Sequence, residues 1–192
     1  MTTEEKIKEA ARVVFTRKGY AATKTRDIAE EAGLNLALLN YYFRSKENLF
    51  EIVMIERIQK LFAFIAPALN NPATSLTEKI EWIALNYIEM LQQNPDLPMF
   101  VLSEIRSNPE RFGETIQLKG MVLQSSFLQQ LAEQKKDINP VQLFLNFLGM
   151  MVFPFIVKPV FQSAGRMSEE AFDQLLEQRK TLIPLWMKMM LE

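Results

Sequence analysis

Apolar residues recur along the chain with the three- and four-residue spacing of amphipathic helices. The first such pattern consists of Ile7, Ala10, Ala11, Val14 and Phe15. Thr3 precedes this pattern and suits the N-cap position, and Gly19 follows it as a helix-ending residue. The sequence therefore predicts a first helix between Thr3 and Gly19 with one buried face.

Two short helices joined by a tight turn are predicted next. Thr25 is the expected N-cap of the second helix, and Gly33 ends it. Asn35 then caps a third helix from Leu36 to Phe43. Ser45 is a further cap, and it begins a long helix that we expect to end at Pro67.

Helical periodicity continues through the remainder of the chain, and no segment predicts a strand. The expected helices run from Ser75 to Gln93, Pro98 to Ser107, Glu110 to Lys136, Asn139 to Gln162 and Ser168 to Leu191. The residues expected to end, interrupt or bend them are Asn108, Gly113, Gly120, Pro154, Pro159 and Pro184. We therefore predict an all-α fold, divided into residues 1–46 and residues 47–192.

The composition excludes several function classes. The chain has 192 residues with no Cys and no His. It therefore lacks a disulfide framework, a thiolate nucleophile, the commonest metal ligand and the commonest general base. Glu78, Glu81 and Glu89 lie at helical spacing, but we interpret them as a solvated face rather than as catalytic carboxylates. We expect no enzymatic activity, no metal and no cofactor.

One segment has the length and composition of a membrane span. Residues 140–157 carry no charge, which reaches the lower limit for a transmembrane helix. However, Gln142, Asn146, Gly149 and Pro154 interrupt it, and we interpret it as a helix that packs between protein helices. The polar, acidic N-terminus is unlike a secretory signal. We expect a cytoplasmic protein without membrane contact.

The second and third helices form a candidate helix-turn-helix unit. Leu39 and Phe43 are four residues apart and are expected to face inward, which leaves Leu36 and Asn40 on one outward line and Ala37 and Tyr41 on the next. The side chains of this outward face are small at the start of the third helix, which allows the helix to enter the major groove of DNA. Asn40 can pair with an adenine edge, and Leu36 and Ala37 can contact thymine methyl groups.

The charge distribution agrees with DNA binding at the N-terminal end. Residues 1–46 contain nine Lys and Arg and six Asp and Glu, a net charge of +3, whereas the whole chain has a net charge of −1. Thr25, Tyr41 and Tyr42 can donate hydrogen bonds to phosphate oxygens. The basic side chains expected to contact phosphates are Lys6, Lys24, Arg26, Arg44 and Lys46.

The first 50 residues resemble the N-terminal domain of the TetR (tetracycline-repressor-like) family. The resemblance has no gap and is most specific between Ile28 and Leu49. The residues that carry it are Ile7, Ala10, Ala11, Phe15, Gly19, Tyr20, Thr23, Thr25 to Ala29, Ala32 to Asn35 and Leu39 to Leu49. The sequence departs from the family pattern at Leu36 and Leu38, where polar residues are frequent, and at Asn40, where Tyr is common.

The resemblance implies a dimeric, all-helical transcription regulator. Its N-terminal helices would bind double-stranded operator DNA, and its C-terminal helical domain would dimerise and bind a small, apolar effector that releases the repressor from its operator. The residues to which the family's DNA contacts carry over are Thr25, Arg26, Leu36, Ala37, Asn40, Tyr41, Tyr42 and Lys46.

The last two helices carry more apolar side chains than a chain of this length needs for one end of its core. We therefore expect a two-fold interface between these helices in a homodimer. The residues assigned to it are Phe144, Phe147, Met150, Met151, Phe153, Phe155, Phe161, Phe172, Leu175, Leu176, Trp186, Met187 and Met190.

An effector pocket follows from the resemblance rather than from a motif. The middle helices supply its candidate lining, which is Trp82, Asn86, Tyr87, Met90, Phe100, Met121 and Phe147. Methionine and phenylalanine side chains favour an adaptable apolar cavity. The alternative function is a helical carrier of small molecules or lipids without a DNA-binding role, which leaves the outward face of Asn40 and Tyr41 unexplained.

Overall fold

The computed structural model of the chain describes residues 1–107, 109–117, 119–165 and 167–192. These ranges are predominantly helical and contain no strand, so the predicted all-α class is confirmed. The helices are α1 (Thr3–Ala22), α2 (Thr25–Glu31), α3 (Leu36–Phe43), α4 (Lys46–Asn70), α5 (Leu76–Gln93), α6 (Leu97–Ser107), α7 (Pro109–Thr115), α8 (Ser126–Gln134), α9 (Pro140–Ser163) and α10 (Glu169–Leu191), with a π-helical turn at Lys119–Leu123. Asn108, expected to end a helix, lies outside the described residues.

Most helices begin where a polar side chain can accept a hydrogen bond from their first turn. The predicted caps Asn35, Ser45 and Ser168 accept from the backbone N–H groups of the third helical residue. Two predicted caps are wrong by one residue. Thr2, not Thr3, caps α1 in a reciprocal box with Glu5, and Lys24 stands at the cap position of α2, where the Asp27 carboxylate accepts from its backbone N–H at 2.9 Å.

Gly19 interrupts α1 as predicted, but the chain forms a further helical turn to Ala22 before it leaves the helix. The φ of Gly19 is 72° and its ψ is 165°, a combination that is essentially restricted to glycine. The Thr23 hydroxyl donates a hydrogen bond of 2.7 Å to the Gly19 carbonyl. The end of α1 is therefore a defined corner and not a frayed terminus.

The helix predicted from Glu110 to Lys136 is divided in the structure. α7 ends at Thr115, and Gln117 adopts a positive φ of 49°. The π-helical turn then leads to Ser125, which caps α8. The interruption therefore lies between Gly113 and Gly120, because both glycines are accommodated within helical turns.

Proline residues lie inside the two last helices without ending them. Pro154 lacks the backbone N–H that would bond the Met150 carbonyl one turn earlier. Arg179 of α10 replaces that donor, since its Nε and Nη2 atoms donate to the Met150 oxygen at 3.1 and 2.8 Å. The predicted end of α4 at Pro67 is wrong, because this helix also contains its proline and continues to Asn70.

Two apolar cores form, and α4 contributes to both. The first core joins α1, α2 and α3 to Leu49 and Val53 at the start of α4, and the second begins at Met54 and extends through the C-terminal helices. Phe50 packs against both cores. The division at residue 46 stays a prediction, and α4 is the element that the two parts share.

α9 is long and apolar enough, by length and composition alone, to cross a membrane. Core helices of soluble proteins pass the same test when they are mostly buried, but only 28% of the apolar window of α9 is buried inside this chain. Much of its apolar surface therefore lies uncovered in the single chain.

Lys79 is the charged side chain that the described part of the chain buries most completely, at 1% exposure. Its ammonium donates to the Ser126 hydroxyl at 2.6 Å and to the Gln130 side-chain oxygen at 2.9 Å. Burial lowers the pKa of Lys79, because it disfavours the charged form. These hydrogen bonds join α5 to α8.

Replacing Gly19 by alanine is expected to destabilise the chain by about 1–3 kcal/mol, because a side chain does not tolerate this backbone conformation. Gly113 is a matched control, since it lies inside α7 and an added Cβ there meets nothing within 4 Å. Gly113→Ala is expected to be neutral or slightly stabilising. Urea unfolding of both variants measures the difference, and equal midpoints would contradict the assignment.

Candidate nucleic-acid interface

α2, the following turn and α3 form one compact unit. Gly33 adopts a positive φ of 66°, which ends α2 and turns the chain sharply. The Leu34 N–H bonds the Ala29 carbonyl at 2.9 Å. The Asn35 side chain accepts from the Leu38 N–H at 2.9 Å and so starts α3. Both ends of the turn are fixed by hydrogen bonds, which sets the angle between the two helices.

α3 has one buried and one exposed face. Leu39 is fully buried and Phe43 is 2% exposed, and both pack in the core with Ile28, as predicted. Tyr41 is 79% exposed, and Asn40 is also exposed. The outward face predicted from the spacing is therefore present and open to solvent.

The predicted DNA-contacting residues lie along this face and at its two ends. Ala37, Asn40 and Tyr41 are exposed, and Leu36 is half-buried at the start of α3. Tyr42 is 41% exposed and packs edge-on against Tyr41, with ring centroids 5.3 Å apart. The structure brings these five side chains together, while their contacts with DNA stay predictions.

Basic side chains of the N-terminal region divide into two groups. Lys8, Arg12, Arg17 and Lys18 form salt bridges with acidic side chains. In the described part of the chain no salt bridge involves the exposed residues of the second group, which are Lys6, Lys24, Arg26 and Arg44. Lys24 and Arg26 lie at the start of α2 and Arg44 follows α3. Exposed basic side chains without salt bridges in the described ranges therefore lie at the start of α2 and directly after α3.

Lys46 differs from the other predicted phosphate contacts because it binds within the protein. Its ammonium donates to the carbonyl oxygens of Tyr20 and Thr23, each at 3.1 Å, and lies 4.1 Å from the centroid of the Tyr20 ring. The Tyr20 hydroxyl in turn donates to Glu47 at 2.9 Å. The hydrogen bonds of Lys46 thus connect the end of α1 to the start of α4, a role that the sequence did not predict.

A second contact reaches the same corner of α1 from the C-terminal helices. Asp96 precedes α6, and both of its carboxylate oxygens lie 3.8 Å from the position that a Cβ of Gly19 would occupy. Burial raises the pKa of Asp96, although the backbone N–H of Tyr20 and the charge of Arg57 act to lower it. Sequence reasoning missed Asp96, because nothing local marks a contact across more than 70 residues.

Aromatic rings connect the two cores next to this polar contact. Phe50 of α4 lies with its ring centroid 4.9 Å from that of Phe15 in α1 and 5.7 Å from that of Phe100 in α6. Tyr20 also packs on Phe50, at 4.5 Å. The start of α6 is therefore joined to the N-terminal helices by both apolar and polar contacts.

The residues predicted to line an effector pocket differ in how far the chain buries them. Phe147 is buried against Phe127, and Phe100 is buried against Phe50. Trp82 lies at the surface beside Phe64. Two surface clefts lie beside α1 and α2, and none of the seven predicted residues lines either of them.

The remaining predicted pocket residues lie on α5 and on the π-helical turn. Asn86 donates to the Trp82 carbonyl at 2.8 Å within its own helix. Met90 and Met121 are partly buried against the second core. Tyr87 is half-buried, and desolvation raises its pKa to about 12. The seven residues are thus divided between core and surface in this conformation.

The residues predicted to form an interface on α9 and α10 differ in how far the single chain buries them. Six of its members belong to the core of the single chain, namely Phe147, Met151, Phe155, Phe172, Leu176 and Met187. Five are partly buried, namely Phe144, Met150, Leu175, Trp186 and Met190, and Phe153 and Phe161 are exposed at 60% and 46%. Other exposed apolar residues of these two helices are Val141, Leu145, Val160, Leu185 and Met189.

A family model described as bacterial regulatory proteins of the tetR family matches residues 7–53. The matched range contains most of α1, all of α2 and α3, and the beginning of α4. It ends at Val53, the last α4 residue in the first core. The match therefore coincides with the part of the chain that presents the exposed face of α3.

Two curated relatives match about half of the chain. It is 29% identical over 106 residues to the probable HTH-type transcriptional regulator YttP of Bacillus subtilis, and the match covers 55% of this chain and 51% of YttP. It is 28% identical over 121 residues to the HTH-type transcriptional repressor KstR2 of Mycolicibacterium smegmatis, covering 56% of this chain and 58% of KstR2. The chain thus matches little more than half the length of these relatives.

A solved structure extends the likeness over nearly the whole fold. The transcriptional regulator FadR from Bacillus subtilis, solved in complex with stearoyl-CoA, superposes with a TM-score of 0.59. The match covers 94% of this chain and 97% of that chain, at 16% identity. At this identity the likeness concerns the arrangement of helices.

Replacing Lys46 by alanine is expected to destabilise the chain by about 1–3 kcal/mol, because hydrogen bonds from a charged donor to two helix-end carbonyls are lost. Lys24→Ala is the matched control, since the exposed Lys24 forms no salt bridge within the described ranges. Thermal and urea unfolding test the difference. Equal stability of the two variants would show that the contacts of Lys46 do not support the fold.

Proposed function

We propose that the chain is a homodimeric transcriptional repressor of the TetR family of bacterial regulatory proteins, and that a small apolar effector releases it from operator DNA. The exposed face of α3, flanked by basic side chains without salt bridges in the described ranges, is the observation that carries DNA binding. The relatives are regulators by name, so we propose neither catalysis nor a cofactor, and we place the protein in the cytoplasm.

The division of basic side chains supports this function over the helical carrier. A carrier has no need of an exposed Tyr41 on α3, or of an exposed Arg26 and Arg44 that form no salt bridge within the described ranges. A DNA-binding protein uses such charges to contact phosphates, and it uses the side chains between them to contact base edges. We assign phosphate contacts to Lys6, Lys24, Thr25, Arg26, Tyr42 and Arg44, and base contacts to Leu36, Ala37, Asn40 and Tyr41.

Dimerisation through α9 and α10 is supported by the stripe of apolar residues that the single chain leaves uncovered. On α9 the stripe runs at four-residue spacing through Val141, Leu145, Gly149 and Phe153. Leu185 and Met189 continue it on α10, at 52% and 64% exposure. An apolar surface of this length on an α-helix pair suits the four-helix interface of a two-fold dimer.

Gly149 gives this stripe a point of close approach. A Cβ added there meets nothing within 4 Å, so packing within the single chain does not require a glycine. A glycine inside a helix costs roughly 0.5–1 kcal/mol relative to alanine. We infer that the partner helix passes over Gly149, where the missing side chain allows the two backbones to approach.

An effector acts in this proposal by favouring a conformation whose two DNA-binding domains are wrongly spaced. Recognition helices of a dimer must lie about 34–36 Å apart to enter successive major grooves. An effector that binds a differently spaced state more tightly lowers the affinity for DNA by that difference. We place the apolar effector among the middle helices at the predicted pocket residues, where the packed side chains must move apart to admit it.

The contacts at the corner of α1 supply a route for this effect. Asp96, which lies beside Gly19, directly precedes α6, and α6 carries Phe100, which packs on Phe50. A shift of α6 therefore acts on the N-terminal helices directly as well as through α4. We propose that this junction, together with the shared helix α4, sets the orientation of the DNA-binding domain.

Salt dependence of DNA binding tests the function itself. Fluorescence anisotropy with duplexes selected from a random pool is expected to give a steep negative slope of log K against log salt, because several phosphate contacts release counterions. Asn40→Ala is expected to relax base preference, whereas Lys24→Ala weakens all duplexes alike and lowers the slope by about one.

Val13→Ala is the control for these variants, because Val13 is an exposed aliphatic residue of α1 outside the proposed interface. It is expected to leave both the affinity and the slope unchanged. Failure of the purified chain to bind any duplex at low ionic strength would reject DNA binding.

Replacing Phe153 by glutamate is expected to convert the dimer to a monomer and to weaken operator binding at least tenfold, because a charge would be buried in the apolar stripe. Sedimentation velocity measures the assembly. Phe64→Glu is the matched control, since Phe64 is a 52% exposed phenylalanine on α4 outside the stripe. If Phe64→Glu dissociates the dimer and Phe153→Glu leaves it intact, the interface lies on the α4–α5 surface instead.

A further inference from the structure

We propose that the base pairs beneath α3 are A·T pairs, recognised through thymine methyl groups by Leu36 and Ala37 and through the adenine edge by Asn40. This inference rests on the proposed DNA-binding function and specifies which operators that function selects. It follows from the set of side chains that the exposed face of α3 contains and from the position of the basic residues around it.

α3 lacks the side chains that recognise G·C pairs by charge. From Leu36 to Phe43 it contains no Arg, Lys, Asp, Glu or Gln. Guanine is most often recognised by a bidentate Arg or Lys, and cytosine donates to carboxylates. Asn40 is the residue of this helix whose amide matches the donor and acceptor pair on the adenine edge. The chemistry of α3 therefore favours A·T pairs.

The apolar members of the face are placed to reach methyl groups. Ala37 is exposed, and Leu36 is half-buried at the first turn of α3, the end that lies nearest to base edges in helix-turn-helix complexes. Asn40 lies one turn after Leu36 on the same line. One helical turn rises about 5.4 Å and one base pair about 3.4 Å. The methyl contact and the adenine contact therefore fall on base pairs one or two steps apart.

The basic residues lie outside α3, at its flanks. Arg44 follows its last turn with a positive φ of 62°, and Lys24 and Arg26 precede and begin α2. Positive charge at these positions suits phosphates on either side of the groove. Any guanine contact in the half-site is thereby left to Arg26 at the start of α2, beyond the base pairs that α3 covers.

Each methyl contact makes a measurable contribution to affinity. Removing one buried methyl group from an apolar contact costs about 0.8 kcal/mol, which corresponds to a roughly fourfold change in affinity. Deoxyuridine differs from thymidine only by the absence of this methyl group and keeps the same base pairing. Replacing single thymines by deoxyuridine therefore measures methyl recognition alone.

The experiment starts from duplexes that the 192-residue chain selects from a random pool. Each thymine of the enriched half-site is then replaced in turn by deoxyuridine, and each adenine by 7-deazaadenine, which lacks the N7 acceptor. Anisotropy titrations at one fixed salt concentration give the affinities. We expect at least one deoxyuridine position per half-site to weaken binding roughly fourfold, and one 7-deazaadenine position to weaken it roughly fivefold.

Variants assign each effect to a side chain. Leu36→Ala is expected to abolish the effect of one deoxyuridine position, and Asn40→Ala the effect of the 7-deazaadenine position. Val13→Ala keeps both effects. Alanine is the best helix-forming residue, so the Leu36→Ala variant retains α3.

The outcomes separate this inference from the function on which it rests. Tight, salt-dependent binding to half-sites with G·C pairs at their centre, or binding that deoxyuridine leaves unchanged, would overturn A·T recognition and leave DNA binding intact. A deoxyuridine effect that persists undiminished in Leu36→Ala and in Ala37→Gly would overturn the assignment of the methyl contacts. Absence of binding to every duplex would reject both the function and the inference.

Discussion

The structure depends on one helix being buried against two cores. Leu49 and Val53 of α4 pack with the N-terminal helices, and from Met54 onward the same helix packs with the C-terminal ones. A continuous helix transmits rotation and translation with little loss, since its backbone hydrogen bonds resist bending. α4 therefore connects the packing of α3 to that of the C-terminal helices, and Phe50 packs against both cores.

Sequence patterns predict the N-terminal unit well because its determinants are local. Asn35 and Ser45 cap helices within three residues of themselves, and the spacing of Leu39 and Phe43 alone defines the buried face of α3. The order and type of the C-terminal helices were also predictable from proline and cap positions. The break near Gln117 was placed only approximately, because the π-helical turn accommodates Gly120 without a visible change in the apolar pattern.

The missed features all require knowledge of long-range packing. Lys46 resembles a surface cation in the sequence, and only the fold shows that the carbonyls of Tyr20 and Thr23 lie within its reach. α9 is apolar on nearly every side, so periodicity did not separate Phe147, which is buried, from Leu145 and Phe153, which are exposed. The proposed pocket residues raise the same difficulty, because an apolar side chain in a helix is equally compatible with a filled core.

The hydrogen bonds of Arg179 to the Met150 carbonyl have a consequence for symmetry. Pro154 gives α9 a weak point, and α10 fixes the shape of the helix there through a side chain instead of a backbone donor. In the proposed two-fold dimer, the bend of α9 at Pro154 would occur once in each chain. The Arg179 contact would also occur once in each chain, so a change at Arg179 would alter the shape of α9 on both sides of the proposed interface.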